Sequence, residues 1–157
     1  MIIQKWLKCL QYIGLGIKMN RYLGLDVGTK RIGASISDAL LYTAQPLELI
    51  LRQPEEKAIE TIINICKDKS VIGIVVGLPK NMDGTVGFQA EDVMNFAKKL
   101  EEISGIDIIY EDERLSSKQA ERNLVEQNKK ASRNKGLIDI ASAAIILQQY
   151  LDRRSLS

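Results

Sequence analysis

The stretch from Tyr22 to Ser37, YLGLDVGTKRIGASIS, decides how this chain is read. Tyr22 to Val27 is a short apolar run that carries one acid, Asp26, near its end. Gly28-Thr29-Lys30 supplies a turn, and Arg31 to Ser37 returns as a second strand. A carboxylate at the end of an apolar strand is expensive to bury unless a cation or hydrogen-bond donors meet it. The hairpin therefore marks both the start of a sheet and a candidate site.

Working outward, a third extended stretch lies around Pro46 to Leu51. Pro54 opens a helix with Glu55 and Glu56 in its first turn and Lys67 and Lys69 in its last, which suits the helix dipole. Ala58, Ile59, Ile62, Ile63 and Cys66 form its apolar stripe. Val71 to Gly77, VIGIVVG, has the composition of a strand buried on both faces. A helical pattern follows over Phe88 to Ile103, then an apolar strand over Ile106 to Tyr110. Ser116 with Gln119 makes a capping box for a helix reaching about Asn128. A basic linker runs from Asn128 to Gly136. The last helix, Leu137 to Asp152, is apolar almost all round for three turns and is expected to be buried. The predicted order is β-β-β-α-β-α-β-α-α, an α/β chain with a mixed sheet and helices packed on it.

At 157 residues the chain has room for one domain and a real core. Hydrophobic residues at 45% and charged residues at 27% exclude disorder and fibrous structure. Two cysteines, Cys9 and Cys66, exclude a disulfide framework and give no sign of secretion, so a cytoplasmic protein is expected. There is no histidine. That removes Ser-His-Asp and Cys-His catalysis and His-ligated zinc. Any metal would be held by oxygens, which selects a hard cation such as Mg²⁺ or Mn²⁺.

The net charge of +2 hides an uneven distribution. Residues 1–31 hold six basic side chains and one acid; residues 114–135 hold seven and two; residues 32–113 hold seven and fifteen. Two basic segments around an acidic middle can face phosphates, although a mixed solvated surface is the plainer reading. Residues 1–18 carry Ile2, Ile3, Trp6, Leu7, Leu10, Ile13 and Ile17 at helical spacing. They are too short and too interrupted by Gln4, Lys5, Lys8 and Gln11 to span a bilayer. They read as an extension, with one functional domain over residues 19–154.

Three acid positions stand out. Asp26 ends one apolar strand, Glu111, Asp112 and Glu113 follow another, and Asp139 is placed in the first turn of the last helix. Ligands gather at the carboxyl ends of parallel strands. Three carboxylates without histidine make a divalent-metal site for phosphodiester hydrolysis. Taken alone, Asp26 is equally a turn residue and Asp139 a first-turn acid favoured by the dipole. Lys30 and Arg31 lie in the hairpin turn, where Arg31 can grip a phosphate. Lys80 and Asn81 lie in a glycine- and proline-shaped loop after the buried strand, placed to meet substrate backbone. Lys129, Lys130 and Arg133, with Lys135, make the linker a candidate nucleic-acid contact.

Four motifs in this order, DVGTKRIG (Asp26 to Gly33), GLPKNMDG (Gly77 to Gly84), DERLSS (Asp112 to Ser117) and DIASAAIIL (Asp139 to Leu147), closely resemble the YqgF family, also called RuvX. The resemblance covers the chain from about Met19 to Arg154. It implies a ribonuclease H-like mixed sheet with helices on both faces, related to the RuvC resolvases. It implies a nuclease that matures the 5′ end of 16S ribosomal RNA, with Holliday junction resolution as the alternative substrate. It carries Asp26, Glu113 and Asp139 over as catalytic and metal-binding acids, and Arg31 and Arg114 as basic residues beside them. The serines of DERLSS stand where threonine is usual. Which of Glu111, Asp112 and Glu113 faces a metal stays open. Two other readings compete. Asp26-Val27-Gly28-Thr29 resembles the phosphate loop of the actin and sugar-kinase superfamily, but no second phosphate loop or domain accompanies it. A non-catalytic RNA-binding factor would keep the fold without needing three acids.

Overall fold

The computed structural model describes residues 2–3, 19–81, 83–113 and 135–157. The expected capping-box helix, the basic linker and most of residues 1–18 lie outside these.

Five strands form one sheet in the order β3-β2-β1-β4-β5. They are β1 (Arg21–Val27), β2 (Arg31–Ser37), β3 (Ala44–Leu51), β4 (Val71–Leu78) and β5 (Asp107–Asp112). The first three pair antiparallel as a meander, and β1, β4 and β5 pair in parallel. The sheet is therefore mixed, as expected. Three helices pack on it among the described residues: α1 (Glu55–Asp68), α2 (Phe88–Ser104) and α3 (Lys135–Ser155). No described helix is long and apolar enough to cross a membrane.

The period of two along each strand sorts the layers. Leu23, Leu25 and Val27 of β1, Ile32, Ala34 and Ile36 of β2, and Ile74, Val76 and Leu78 of β4 join one core. Ile59 and Ile62 of α1 and Val93, Phe96 and Leu100 of α2 complete it. Their alternate neighbours, Gly24, Gly33, Ser35, Val75 and Gly77, face α3 on the other side. That face is lined by small residues, so the helix lies close to the strands. Ser35 Oγ donates to the Ala143 carbonyl at 2.7 Å, and a Cβ on Gly24 would strike Leu147 and the same carbonyl. Asp26 belongs to this α3-facing set by its place in the alternation.

Four expectations need correction. β3 starts at Ala44 rather than at Pro46, because an edge strand with a bulge beside Ser35 tolerates the proline. β5 runs through Glu111 and Asp112, which keep pairing with Gly77 and Leu78. α3 begins at Lys135, so Asp139 lies one turn in and is no first-turn acid. α3 is also not buried all round: Ala143, Ile146, Leu147 and Leu151 make a single buried stripe, and Leu137 is exposed. A helix on one face of a sheet has only one side to bury.

Candidate active site

Two glycines draw the acids together. Asp26 pairs across the sheet with Gly33 of β2. Its neighbour Leu25 pairs with Val76 of β4, the residue before Gly77. A Cβ on Gly33 would collide with the backbone carbonyl of Asp139, so only glycine admits α3 so close to the sheet here. A Cβ on Gly77 would collide with the Glu113 carboxylate and with the tip of Ile146. The missing side chains on either side of Asp26 thus give room to one further acid each.

The electrostatics report the same proximity. Burial, followed by the charge of Asp139, pushes the Asp26 carboxyl up to about 6. Burial, then the charges of Asp26 and Asp112, pushes Glu113 up to about 7. Removing a carboxylate from water and placing like charges near it both disfavour ionisation. Glu111 has a different surrounding. It is 1% exposed and accepts a 2.7 Å hydrogen bond from Arg153 of α3. Glu113 is repelled by Asp26, whereas Glu111 ties the end of α3 to the sheet.

Asp139 accepts a 2.9 Å hydrogen bond from Arg31 Nε, across 108 positions of sequence. Beside this pair lies an open cleft of about 350 Å³, lined by Gly28, Thr29, Lys30, Arg31, Gln89 and Asp139. Lys30 is exposed at its rim. The cleft has a cationic wall next to the acids, a setting suited to a phosphodiester.

The donor set can be tested against a metal. Only oxygen ligands are on offer, which fits Mg²⁺ or Mn²⁺ in chemistry. Asp26 and Glu113 are neighbouring half-buried carboxylates whose repulsion a cation would relieve. Among the described residues, however, no group of three His, Cys, Asp or Glu side chains gathers into a complete ion-holding set. Asp139 is engaged by Arg31.

The remaining sequence-predicted residues fall elsewhere. Lys80 bridges to Val86 at the base of its loop. Asn81, which is exposed, donates its side-chain amide to Thr85 Oγ1 at 3.0 Å, a bond within that loop. Arg114, Lys129, Lys130 and Arg133 lie outside the described residues. Gln89, on the cleft wall, was not singled out by sequence reasoning; it belongs to no motif. Neither were Arg52 and Asp92, which flank the cleft from behind. The clue for Arg52 was an arginine at the end of an apolar strand.

Comparison with known proteins agrees with this architecture. The family pattern described as "RuvX: Holliday junction resolvase" matches residues 20–153. A protein of Clostridioides difficile with the provisional name pre-16S rRNA nuclease is 47% identical over 132 residues, 84% of this chain and 94% of the relative. A Crocosphaera subtropica protein of the same provisional name is 46% identical, over 86% of this chain and 94% of its own length. Among solved structures, Thermus thermophilus RuvC in complex with a Holliday junction substrate superposes with a TM-score of 0.54 at 14% identity. It covers 87% of this chain and 96% of that one. At that identity the likeness shows the fold, which is the ribonuclease H-like fold of RuvC. With a family pattern spanning the described sheet, both glycines and all three acids, the chain belongs to the RuvX family.

Proposed function

We propose that this protein is a metal-dependent nuclease that hydrolyses phosphodiester bonds in precursor 16S ribosomal RNA. The observation that carries the reading is the pair of half-buried, mutually repelling carboxylates, Asp26 and Glu113, beside a cationic cleft. The RNA half of the reading is supported by the provisional names of relatives near 46% identity.

Asp26 and Glu113, with Asp139, would hold Mg²⁺ or Mn²⁺. When bound, the ion supplies an acidic water and charge stabilisation for the leaving oxygen. The chain's own residues do the rest. Lys30 and Arg31 draw the phosphate into the cleft and neutralise its oxygens. Arg31 exchanges Asp139 for a phosphate oxygen as substrate arrives. Burial and repulsion hold the Glu113 carboxyl up at about 7 without a cation, and a bound cation would offset both and favour its ionised, ligating form.

The test is to incubate the full chain with precursor 16S rRNA and with a four-way DNA junction, each with and without Mg²⁺ or Mn²⁺. Asp26→Asn controls for contaminating nucleases. Cleavage of the rRNA that needs the ion and disappears in Asp26→Asn is the expected result. Equal cleavage by both proteins would overturn the carboxylate mechanism. Cutting of the junction alone would leave the mechanism and move the substrate to branched DNA.

A further inference from the structure

The cleft has two walls that belong to different parts of the chain. One is the 28–31 turn between β1 and β2; the other is the start of α2, which supplies Gln89. A single buried side chain grips both. Arg52, 4% exposed at the end of β3, donates from Nη1 to the Gly28 carbonyl at 2.9 Å. The same Nη1 donates to Asp92 Oδ2 at 2.7 Å, and Nη2 to Asp92 Oδ1 at 2.9 Å. The backbone N–H of Arg52 donates to the Lys30 carbonyl at 3.0 Å. Asp92 lies one helical turn beyond Gln89 on α2.

We infer that Arg52 and Asp92 are positioning residues that set the spacing between the 28–31 turn and α2, and with it the width of the nucleic-acid cleft. The inference rests on the reading of that cleft given above. Several observations favour it over a plain core ion pair. The guanidinium carbon lies over the Phe96 ring, 5.0 Å from its centroid, a contact that restrains the side chain. Its Nε is buried without a hydrogen-bond partner among the described residues. The fold thus leaves one donor unsatisfied while both Nη atoms reach their targets. Those targets include a carbonyl in the turn that carries Lys30 and Arg31, two residues beyond Asp26. The turn itself closes through Gly28 N–H to the Arg31 carbonyl at 2.9 Å, so movement at Gly28 is passed to Arg31. Nη1 alone bridges the turn and the helix, and Nη2 adds the second bond that holds the Asp92 carboxylate in one plane; a lysine has donors but not this planar two-nitrogen grip.

The experiment uses the full chain with Arg52→Lys and Asp92→Asn, and Ile62→Val as a core control. Its readouts are amide exchange at Gly28, melting temperature, and cleavage of precursor rRNA. Both variants should speed exchange at Gly28 roughly tenfold over wild type while amides of β4 stay protected. Both should lower kcat about tenfold with KM changed less than about twofold, as misplacement of bound substrate requires. Ile62→Val should move neither readout beyond its change in melting temperature. Unchanged exchange at Gly28 in both Arg52→Lys and Asp92→Asn would overturn the inference. So would a loss of activity matched by a control of equal melting temperature. If the wild type cuts no rRNA, that failure belongs to the proposed function, and exchange at Gly28 still decides the role of Arg52.

Discussion

Arg31 Nε sits 2.9 Å from Asp139 Oδ2, so one of the three site acids is already neutralised by the residue best placed to meet a phosphate. The pair joins β2 to α3 and holds the helix over Gly33. Partly exposed ion pairs of this kind stabilise little, because water competes for both partners. Its weight is therefore functional. Arg31→Gln should leave the melting temperature within a few degrees of wild type. It should weaken RNA binding and reduce the slope of log affinity against log salt by about one. Filter binding across a salt series would check this, and an unchanged slope would remove Arg31 from the phosphate contacts.

The raised carboxyls make stability depend on pH. Asp26 and Glu113 have ordinary values of 3.8 and 4.5 and folded values of about 6 and 7. The folded state holds these protons more tightly than the unfolded chain. Their contribution is therefore fully present below about pH 4 and is lost as pH rises through 6 to 7. At pH 8 the ionised Asp26 lowers stability by about 3 kcal/mol at most. Asp26→Asn should melt higher than wild type at pH 8 in chelator, and the gap should close towards pH 5. A lower melting temperature for Asp26→Asn at pH 8 would show that donors, not repulsion, dominate around Asp26.

Much of this was legible in sequence because of periodicity. VIGIVVG could only be a buried strand, and YLGLDVGTKRIGASIS already gave the hairpin and the acid. What could not be read was which face each strand residue takes relative to α3. Gly33 and Gly77 looked like turn or motif glycines; their role is the close approach of Asp139 and Glu113, which depends on pairing between β1, β2 and β4. Glu111, Asp112 and Glu113 were indistinguishable as neighbours. Glu111 is set apart because Arg153, 42 positions away, takes it. Arg52 was invisible for the same reason: its partners Gly28 and Asp92 lie 24 and 40 positions off.

Metal binding should be visible without activity. A ligand that binds only the folded state raises stability by mass action. At pH 8, Mn²⁺ should raise the melting temperature of wild type and have little effect on Asp26→Asn or Glu113→Gln. Asp139→Asn should respond in between, since Arg31 must first release that acid. Equal shifts in all four proteins would place the ion away from these carboxylates.

The two glycines beside Asp26 should fail in different ways when given a methyl group. At Gly33 the obstruction is the Asp139 backbone, which moves only if α3 moves. Gly33→Ala should therefore lose about 1–3 kcal/mol of stability, the range of core overpacking. At Gly77 the obstruction is the far end of the Glu113 side chain and the tip of Ile146. Both can swing aside, so Gly77→Ala should fold with a loss below about 1 kcal/mol. The same swing carries the Glu113 carboxylate away from Asp26, and a displacement of that size reduces activity about a hundredfold. Denaturant melts paired with rRNA cleavage would separate the two. Gly77→Ala with wild-type activity would mean that Glu113 works from another position, and the Asp26–Glu113 pair would no longer define the site.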